Sequence, residues 1–202
     1  MLAQPSEYRS IQNRSSQRIL DDRPGRDEDL PPISLIYDGF GYFLDIFHGH
    51  LDVPGLSDIC LTELQDRVDA FADSMCCFYT HEDDCRDAGT PHVNSIFAAR
   101  TGVTMIPELW PGAIGSAVTD GHNIGPHRAP SVVAEYKNWP ANNGCIPQVE
   151  IAGYVARSHA RFVSAELVRR WRIPTLGLTI VGEHETYVMF FICSHERHYI
   201  RC

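Results

Sequence analysis

The chain has a single lysine, Lys137, and it stands two residues after Glu135 in the stretch Ser131-Val-Val-Ala-Glu-Tyr-Lys137. Alternate residues of a strand share a face, so this carboxylate and this ammonium project together. Asp120 lies upstream, just past the apolar run Ala113–Val118, and Gln148 lies downstream at the start of a helical pattern. Two carboxylates and a strand carbonyl, that of Tyr136, are the oxygen ligands a hard cation such as Mg²⁺ or Mn²⁺ takes. The metal would serve as Lewis acid and water activator. Lys137 would orient or help deprotonate the attacking water and offset charge on a phosphate. Gln148 would hold the lysine or the water.

The same residues also have plainer readings. Glu135 and Lys137 can form a strand ion pair, and Asp-Gly is a common turn pair. The flanking Val132, Val133 and Ala134 read as buried, and a buried strand rarely tolerates two charges without a partner. That weighs toward a site. The turn between the two strands is expected near residue 128, between Pro126 and Pro130. It would place Asp120 opposite Lys137 and diagonal to Glu135. Glu82, in His81-Glu-Asp-Asp-Cys-Arg86, is a further carboxylate, although residues 81–90 read as a polar break.

Positioning these residues takes a helical layer and then strands. Residues 1–32 are polar, end in Pro31-Pro32, and read as a disordered tail. A single folded domain is expected over 33–202. Leu35–Phe47 has a helix-like apolar pattern. Leu61–Tyr79 is a clearer helix, with Leu61, Leu64, Val68, Phe71, Ala72, Met75 and Phe78 at three- and four-residue spacing. Val93–Arg100 reads as a short helix. Ala113–Val118 and Ser131–Lys137 read as strands. Pro147 opens a helix that is expected to reach about residue 171, with Gln148, Ile151, Ala152, Val155, His159 and Phe162 on one face. Thr175–Val181 and Thr186–Cys193 close the series as strands. Helices followed by β-β-α-β-β predict an α/β sandwich around a small mixed sheet with an N-terminal helical layer.

The ordered set Asp120, Glu135, Lys137 and Gln148 resembles the PD-(D/E)xK nuclease superfamily, the restriction-endonuclease-like fold. That family carries an Asp at the start of one strand, a Glu-x-Lys on the next, and often a Gln on the following helix. Gln148 to Tyr154 is similar to the Gln-to-Tyr motif of the exonuclease branch, with different spacing. The proline that often precedes the Asp is replaced by Thr119. The resemblance implies a restriction-endonuclease-like sandwich and Mg²⁺- or Mn²⁺-dependent hydrolysis of nucleic acid. It gives Asp120 and Glu135 as metal ligands; Arg157, Arg161, Arg169 and Arg170, from the arginine-rich stretch after residue 151, are the candidate phosphate contacts. The alternative is a catalytically inactive module on the same fold, binding nucleic acid or a protein partner. Pro31–Asp45, Arg86–Gly89, Pro147–Arg157 and Ile173–Gly182 also resemble proteins of mushroom-forming fungi, without adding an activity.

Charge bears on these alternatives. The formal charge is −9. Acids dominate residues 34–136, while arginines gather after residue 151, so a broad nonspecific polyanion surface is not expected. The seven cysteines form no even framework. Neither Cys76, Cys77, His81, Cys85 nor Cys193, His195, His198, Cys202 has convincing zinc spacing. The N-terminus shows no secretory pattern and no apolar run spans a bilayer, so an intracellular protein without membrane association is expected. Val132–Lys137 faintly matches the kinase strand that ends in lysine, but the Gly-rich loop and Asp-Phe-Gly that a kinase requires are absent.

Overall fold

The computed structural model describes residues 10–11, 13–14, 41–42, 45–46, 48–52, 58–98, 108–114, 117–124, 130–138, 147–162, 173–181, 185–193 and 200–201. For 58–60, 159–162, 173–174, 185–193 and 200–201 it describes the backbone alone. The elements are α1 (Asp58–Met75), α2 (Glu82–Phe97), β1 (Trp110–Ile114), β2 (Ala117–His122), β3 (Val132–Lys137), α3 (Pro147–Phe162), β4 (Ile173–Val181), β5 (Glu185–Cys193) and β6 (Ile200–Arg201). The strands form one mixed sheet in the order β1-β2-β3-β4-β5-β6. Only β3 and β4 run parallel. α3 supplies the long crossover that a parallel pair requires. Among the described residues no helix is long and apolar enough to cross a membrane.

β3 explains why the sheet is covered on both faces. Its residues Val132 to Tyr136 are all buried, which is the pattern of a strand between two layers. Val133 joins Val149, Ile151, Ala152 and Val155 of α3 in one apolar cluster. Val132, Ala134 and Tyr136 face the other way, onto Met75 of α1 and Cys85 and Val93 of α2. The mixed α/β architecture with helices N-terminal to the sheet is thus present. Ile11, inside the segment expected to be a disordered tail, packs against the α3-side cluster.

The polar break expected over 81–90 is instead the first half of α2. Gly89 and Pro91 argue against a helix by propensity. Opposing them, Glu82, Asp83 and Asp84 fill the first turn, where the helix dipole favours carboxylates. Cys85, Gly89 and Val93 recur at four-residue spacing and are buried. α1 ends at Met75 rather than near Tyr79, and its Leu61 and Val68 are exposed.

Gly89 is where α2 meets β3. A Cβ there would stand 2.6 Å from a ring carbon of Tyr136, whose side chain is fully buried, and 3.1 Å from the Met75 thioether. Gly→Ala inside a helix ordinarily gains about 1 kcal/mol. Here the tyrosine cannot retreat, and overpacking of this kind costs about 1–3 kcal/mol. Gly89→Ala is therefore expected to lower the midpoint of chemical denaturation. A raised midpoint would show that α2 does not sit this close to the sheet.

The run expected as one strand over Ala113–Val118 reverses on itself. Ile114 pairs with Ala117, Ala113 with Val118 and Gly112 with Thr119. The intervening Gly115-Ser116 is a pair that two-residue hairpins use, and the apolar residues around it concealed the signal. Further along, Trp110 pairs with His122. Two residue steps of β1 therefore face three of β2, so β2 bulges by one residue between Thr119 and His122. Asp120 lies in that bulge. Bulges re-aim side chains, and they concentrate next to functional sites.

Candidate metal centre

The β2–β3 register is Gly121 with Ala134 and His122 with Val133. Continued by one residue, it sets Asp120 opposite Glu135, not opposite Lys137 as expected. The hairpin axis lies one residue earlier, which moves each partner by two and keeps the same face. Asn123 fixes this register. Its Oδ1 accepts the backbone N–H groups of Ser131 (3.1 Å) and Val132 (2.9 Å), and its own N–H donates to the Val132 carbonyl (3.2 Å). The Thr175 hydroxyl donates to the Pro130 carbonyl at 2.9 Å, which ties the same corner to β4.

Beyond this pairing the bulged strand uses its side chain in place of its backbone. The N–H of Tyr136 donates to Asp120 Oδ2 at 2.9 Å. Asp120 is thereby held against β3. One oxygen each of Glu82, Asp120 and Glu135 lie within 4.8 Å of one another. The three come from the first turn of α2, the bulge of β2 and the middle of β3. Oxygens that share one ion at about 2.0–2.6 Å stand within about 5 Å of each other, so the spacing suits a hard divalent cation.

Lys137 joins the same group. Its Nζ lies 2.8 Å from Glu82 Oε1, 2.8 Å from Glu135 Oε1 and 3.3 Å from Glu150 Oε2. Three carboxylates thus surround one ammonium with Asp120 close by, and the group is negative in excess when all are ionised. Glu135 is almost wholly buried, and with both it and Glu150 ionised its Oε2 has no hydrogen-bond donor; without a metal, a proton shared with the Glu150 carboxyl would satisfy the pair. Such an oxygen is costly to leave bare. Three carboxylates at this spacing could hold a divalent ion.

The electrostatics carry the same sign. Burial, then the charge of Asp120, then the Glu150 carboxyl push the Glu135 carboxyl well up, against the pull of Lys137. Burial raises Asp120 as well, although the Tyr136 N–H, Lys137 and Arg86 oppose it and Glu82 adds to it. Burial alone would lower Lys137, but Glu135 and Glu150 outweigh it and the ammonium is held charged far above its ordinary range. The sign for stability follows. An acid whose folded value is raised costs stability once it ionises, so stability is greater at low pH and falls as pH rises. The metal-free protein is expected to lose unfolding free energy as pH climbs above the ordinary carboxylate values of 3.8 and 4.5. Denaturant titrations across that range test this, and a stability that rises to neutrality would contradict it.

Of the residues singled out in the sequence, Asp120, Glu135 and Lys137 are brought together, and Glu82 joins them from α2 rather than from a loop. Gln148 is half-buried at the start of α3 and makes no hydrogen bond or ion pair with this group among the described residues. Glu150, two positions on, takes its place. Residues two apart on a helix face different ways, so the side of α3 that meets this group carries Glu150 and not Gln148. Tyr154, one turn after Glu150, is buried, and its hydroxyl is raised by burial and by the charges of Glu135 and Glu150. Arg157 is half-buried on α3. Only the backbone of Arg161 is described, and Arg169 and Arg170 lie outside the described residues.

Among the described residues Cys76, Cys77 and Cys85 join no group at metal-ligand spacing. Cys76 and Cys77 are exposed while Cys85 is buried. Burial, with Glu82 and Asp120 nearby, pushes the Cys85 thiol up to about 11, so it stays protonated. Residues 195, 198 and 202 lie outside the described residues. Comparison with protein-family models, curated proteins and solved structures finds no match to this chain.

Proposed function

We propose that this chain is a divalent-metal-dependent phosphodiesterase acting on nucleic acid, with a restriction-endonuclease-like fold and a PD-(D/E)xK-type site. The observation that carries this reading is the convergence of Glu82, Asp120 and Glu135 from three separate elements around a buried, unpartnered carboxylate oxygen. Asp120, Glu135 and Glu82 would hold Mg²⁺ or Mn²⁺. The ion, when bound, would polarise a phosphoryl oxygen and acidify a water. The chain's own contribution is positional. The Tyr136 N–H fixes Asp120. Burial of Glu135 keeps bulk water from competing for its oxygens. Lys137, whose ammonium reaches Glu82, Glu135 and Glu150 here, would turn one N–H to the attacking water and offset phosphate charge once an ion takes up a carboxylate.

A second reading has its own support. Lys137 already ties three carboxylates together, and such a cluster can persist as a structural ion-pair network in a module that binds nucleic acid or a protein partner without cleaving. A cleavage assay separates the two. Labelled single-stranded DNA, duplex DNA and RNA are incubated in Mg²⁺ or Mn²⁺ with the protein and with Asp120→Asn. Cleavage by the parent protein, and a loss of about a hundredfold or more in a variant that stays folded, is the expected result. If the parent cleaves none of the three and calorimetry detects no Mn²⁺ binding, the phosphodiesterase reading is lost.

A further inference from the structure

A metal centre for phosphate esters needs a group that receives the phosphoryl oxygens the ion leaves uncovered. Among the C-terminal arginines only Arg157 has a described side chain. α2 offers a further candidate. Arg86 stands one helical turn after Glu82, and residues four apart on a helix lie on the same face with Cβ atoms about 5–6 Å apart. The helix that brings Glu82 to within 4.8 Å of Asp120 and Glu135 therefore also carries Arg86 on the face that turns toward this centre. Its charge is felt at Asp120, and the charge of Asp120 is felt at the guanidinium.

The partners of Arg86 in the ligand-free protein are suited to exchange. Nη1 donates to Asp83 Oδ1 at 2.6 Å, and Nε and Nη2 donate to Asp87 Oδ1 at 2.9 and 2.8 Å. The arginine side chain is 21% exposed, while Asp83 and Asp87 are 77% and 71% exposed. Both aspartates belong to the helix surface, so nothing in the core depends on them. Ion pairs of this exposure hold weakly and are screened by salt. A phosphate bound to a divalent ion offers a planar arginine fork two oxygens at once, in a charge-assisted and bidentate arrangement. The aspartates keep the guanidinium extended along α2 and ordered before the ligand arrives, which reduces the ordering cost of binding.

We propose that Arg86 is the phosphate receptor of this centre: it binds the non-bridging oxygens of a phosphate ester held by the metal, and Asp83 and Asp87 keep its place until the ester displaces them. This deepens the phosphodiesterase reading and rests on it. It also gives a reason for an arginine in the otherwise acidic first turns of α2, whose Glu82, Asp83 and Asp84 would by themselves repel a phosphate.

The test uses the full chain, Ca²⁺ as a non-turnover cation and thymidine 5′-monophosphate as the probe, with calorimetry as the readout. Arg86→Ala is expected to weaken binding of the nucleotide by about tenfold or more, since one charge-assisted bidentate contact is lost. Arg86→Lys should recover part of it, because charge returns without the fork. The Asp83→Asn/Asp87→Asn double variant should bind the nucleotide several-fold more tightly at low salt. In the Arg86→Ala background the same two changes should bring much less gain. That interaction between the substitutions distinguishes partner exchange from a general change of surface charge, which would act equally in both backgrounds. Arg86 makes its ion pairs with exposed partners, so the variants should keep the parent's unfolding midpoint to within a few degrees. If Ca²⁺ binds the parent but nucleotide affinity is the same with and without Arg86, the inference fails and the metal centre stands. If neither Ca²⁺ nor Mn²⁺ binds the parent, the phosphodiesterase reading fails and takes this inference with it.

Discussion

Lys137→Ala is expected to abolish metal-dependent cleavage of nucleic acid and to lower the unfolding temperature at neutral pH by roughly 6–12 °C. The stability loss follows from the three carboxylates around Nζ, at 2.8, 2.8 and 3.3 Å. Removing one partner of a buried ion pair costs about 3–5 kcal/mol, because the charges left behind remain out of water. Glu82 is 45% exposed and regains solvent, so its share is small. Glu135 and Glu150, at 4% and 6% side-chain exposure, do not. They are expected to take up a proton instead, which places the cost near the lower end, roughly 3 kcal/mol, and makes the variant more acid-tolerant than the parent. At about 2–4 °C per kcal/mol for a chain of this size, that gives the stated shift. Lys137→Arg should recover much of the stability, since the charge is restored, yet little of the cleavage, since a planar guanidinium cannot reproduce the compact ammonium's position among these carboxylates. Stability loss alone would not separate an ion-pair network from an active site, because both depend on the same cation. The cleavage assay does. Differential scanning fluorimetry that found no shift for Lys137→Ala would contradict the burial of this cluster.

The part of the site that the sequence made legible is the part written in local periodicity. Glu135 and Lys137 share a face because strands alternate, and no tertiary information is needed to know it. Asp120 was legible as a residue of the neighbouring strand, but its partner was not. The bulge between Thr119 and His122 and the side-chain bonds of Asn123 set the register, and neither follows from apolar alternation. Glu82 could be named as a spare carboxylate but not placed. Its helix carries a proline and a glycine, and what holds α2 helical there is a stripe, Cys85, Gly89 and Val93, that packs against Tyr136 and Met75. Glu150 was missed for a related reason. Position along a helix says which residues share a face, but which face meets the sheet depends on the crossover between β3 and β4. The C-terminal arginines were chosen by charge density. That criterion ignores distance from the metal ligands, and it passed over Arg86 because aspartates surround it in the sequence.

Glu135→Gln should make the metal-free protein no less stable than the parent while removing its response to metal. In the parent, a ligand that binds only the folded state adds about 2.7 kcal/mol at a hundredfold excess over its dissociation constant. Millimolar Mn²⁺ is therefore expected to raise the unfolding temperature by roughly 5–11 °C if that excess is reached. Glu135 is the most deeply buried of the three candidate ligands, with one oxygen on Lys137 and the other unpartnered. Its charge is disfavoured without metal, because burial and the neighbouring Asp120 charge push its carboxyl well up. A glutamine keeps the shape, removes the charge and offers an amide N–H₂ that the Asp120 and Glu150 carboxylates can accept. Lys137 keeps Glu82 and Glu150 as partners, so its ammonium is not stranded. The metal-free variant should then match or exceed the parent near pH 7, and the two should converge as pH falls and Glu135 in the parent protonates. With Mn²⁺ the order reverses, because one of the ligands is gone and the two that remain include the half-exposed Glu82. Thermal melts of both proteins with and without Mn²⁺, at pH 5 and pH 7, resolve the four cases. An equal Mn²⁺ shift in parent and variant would place any bound ion away from Glu135 and end the metal-centre reading. A metal-free variant several degrees less stable than the parent would mean that the buried carboxylate is held for its ion pair with Lys137 alone.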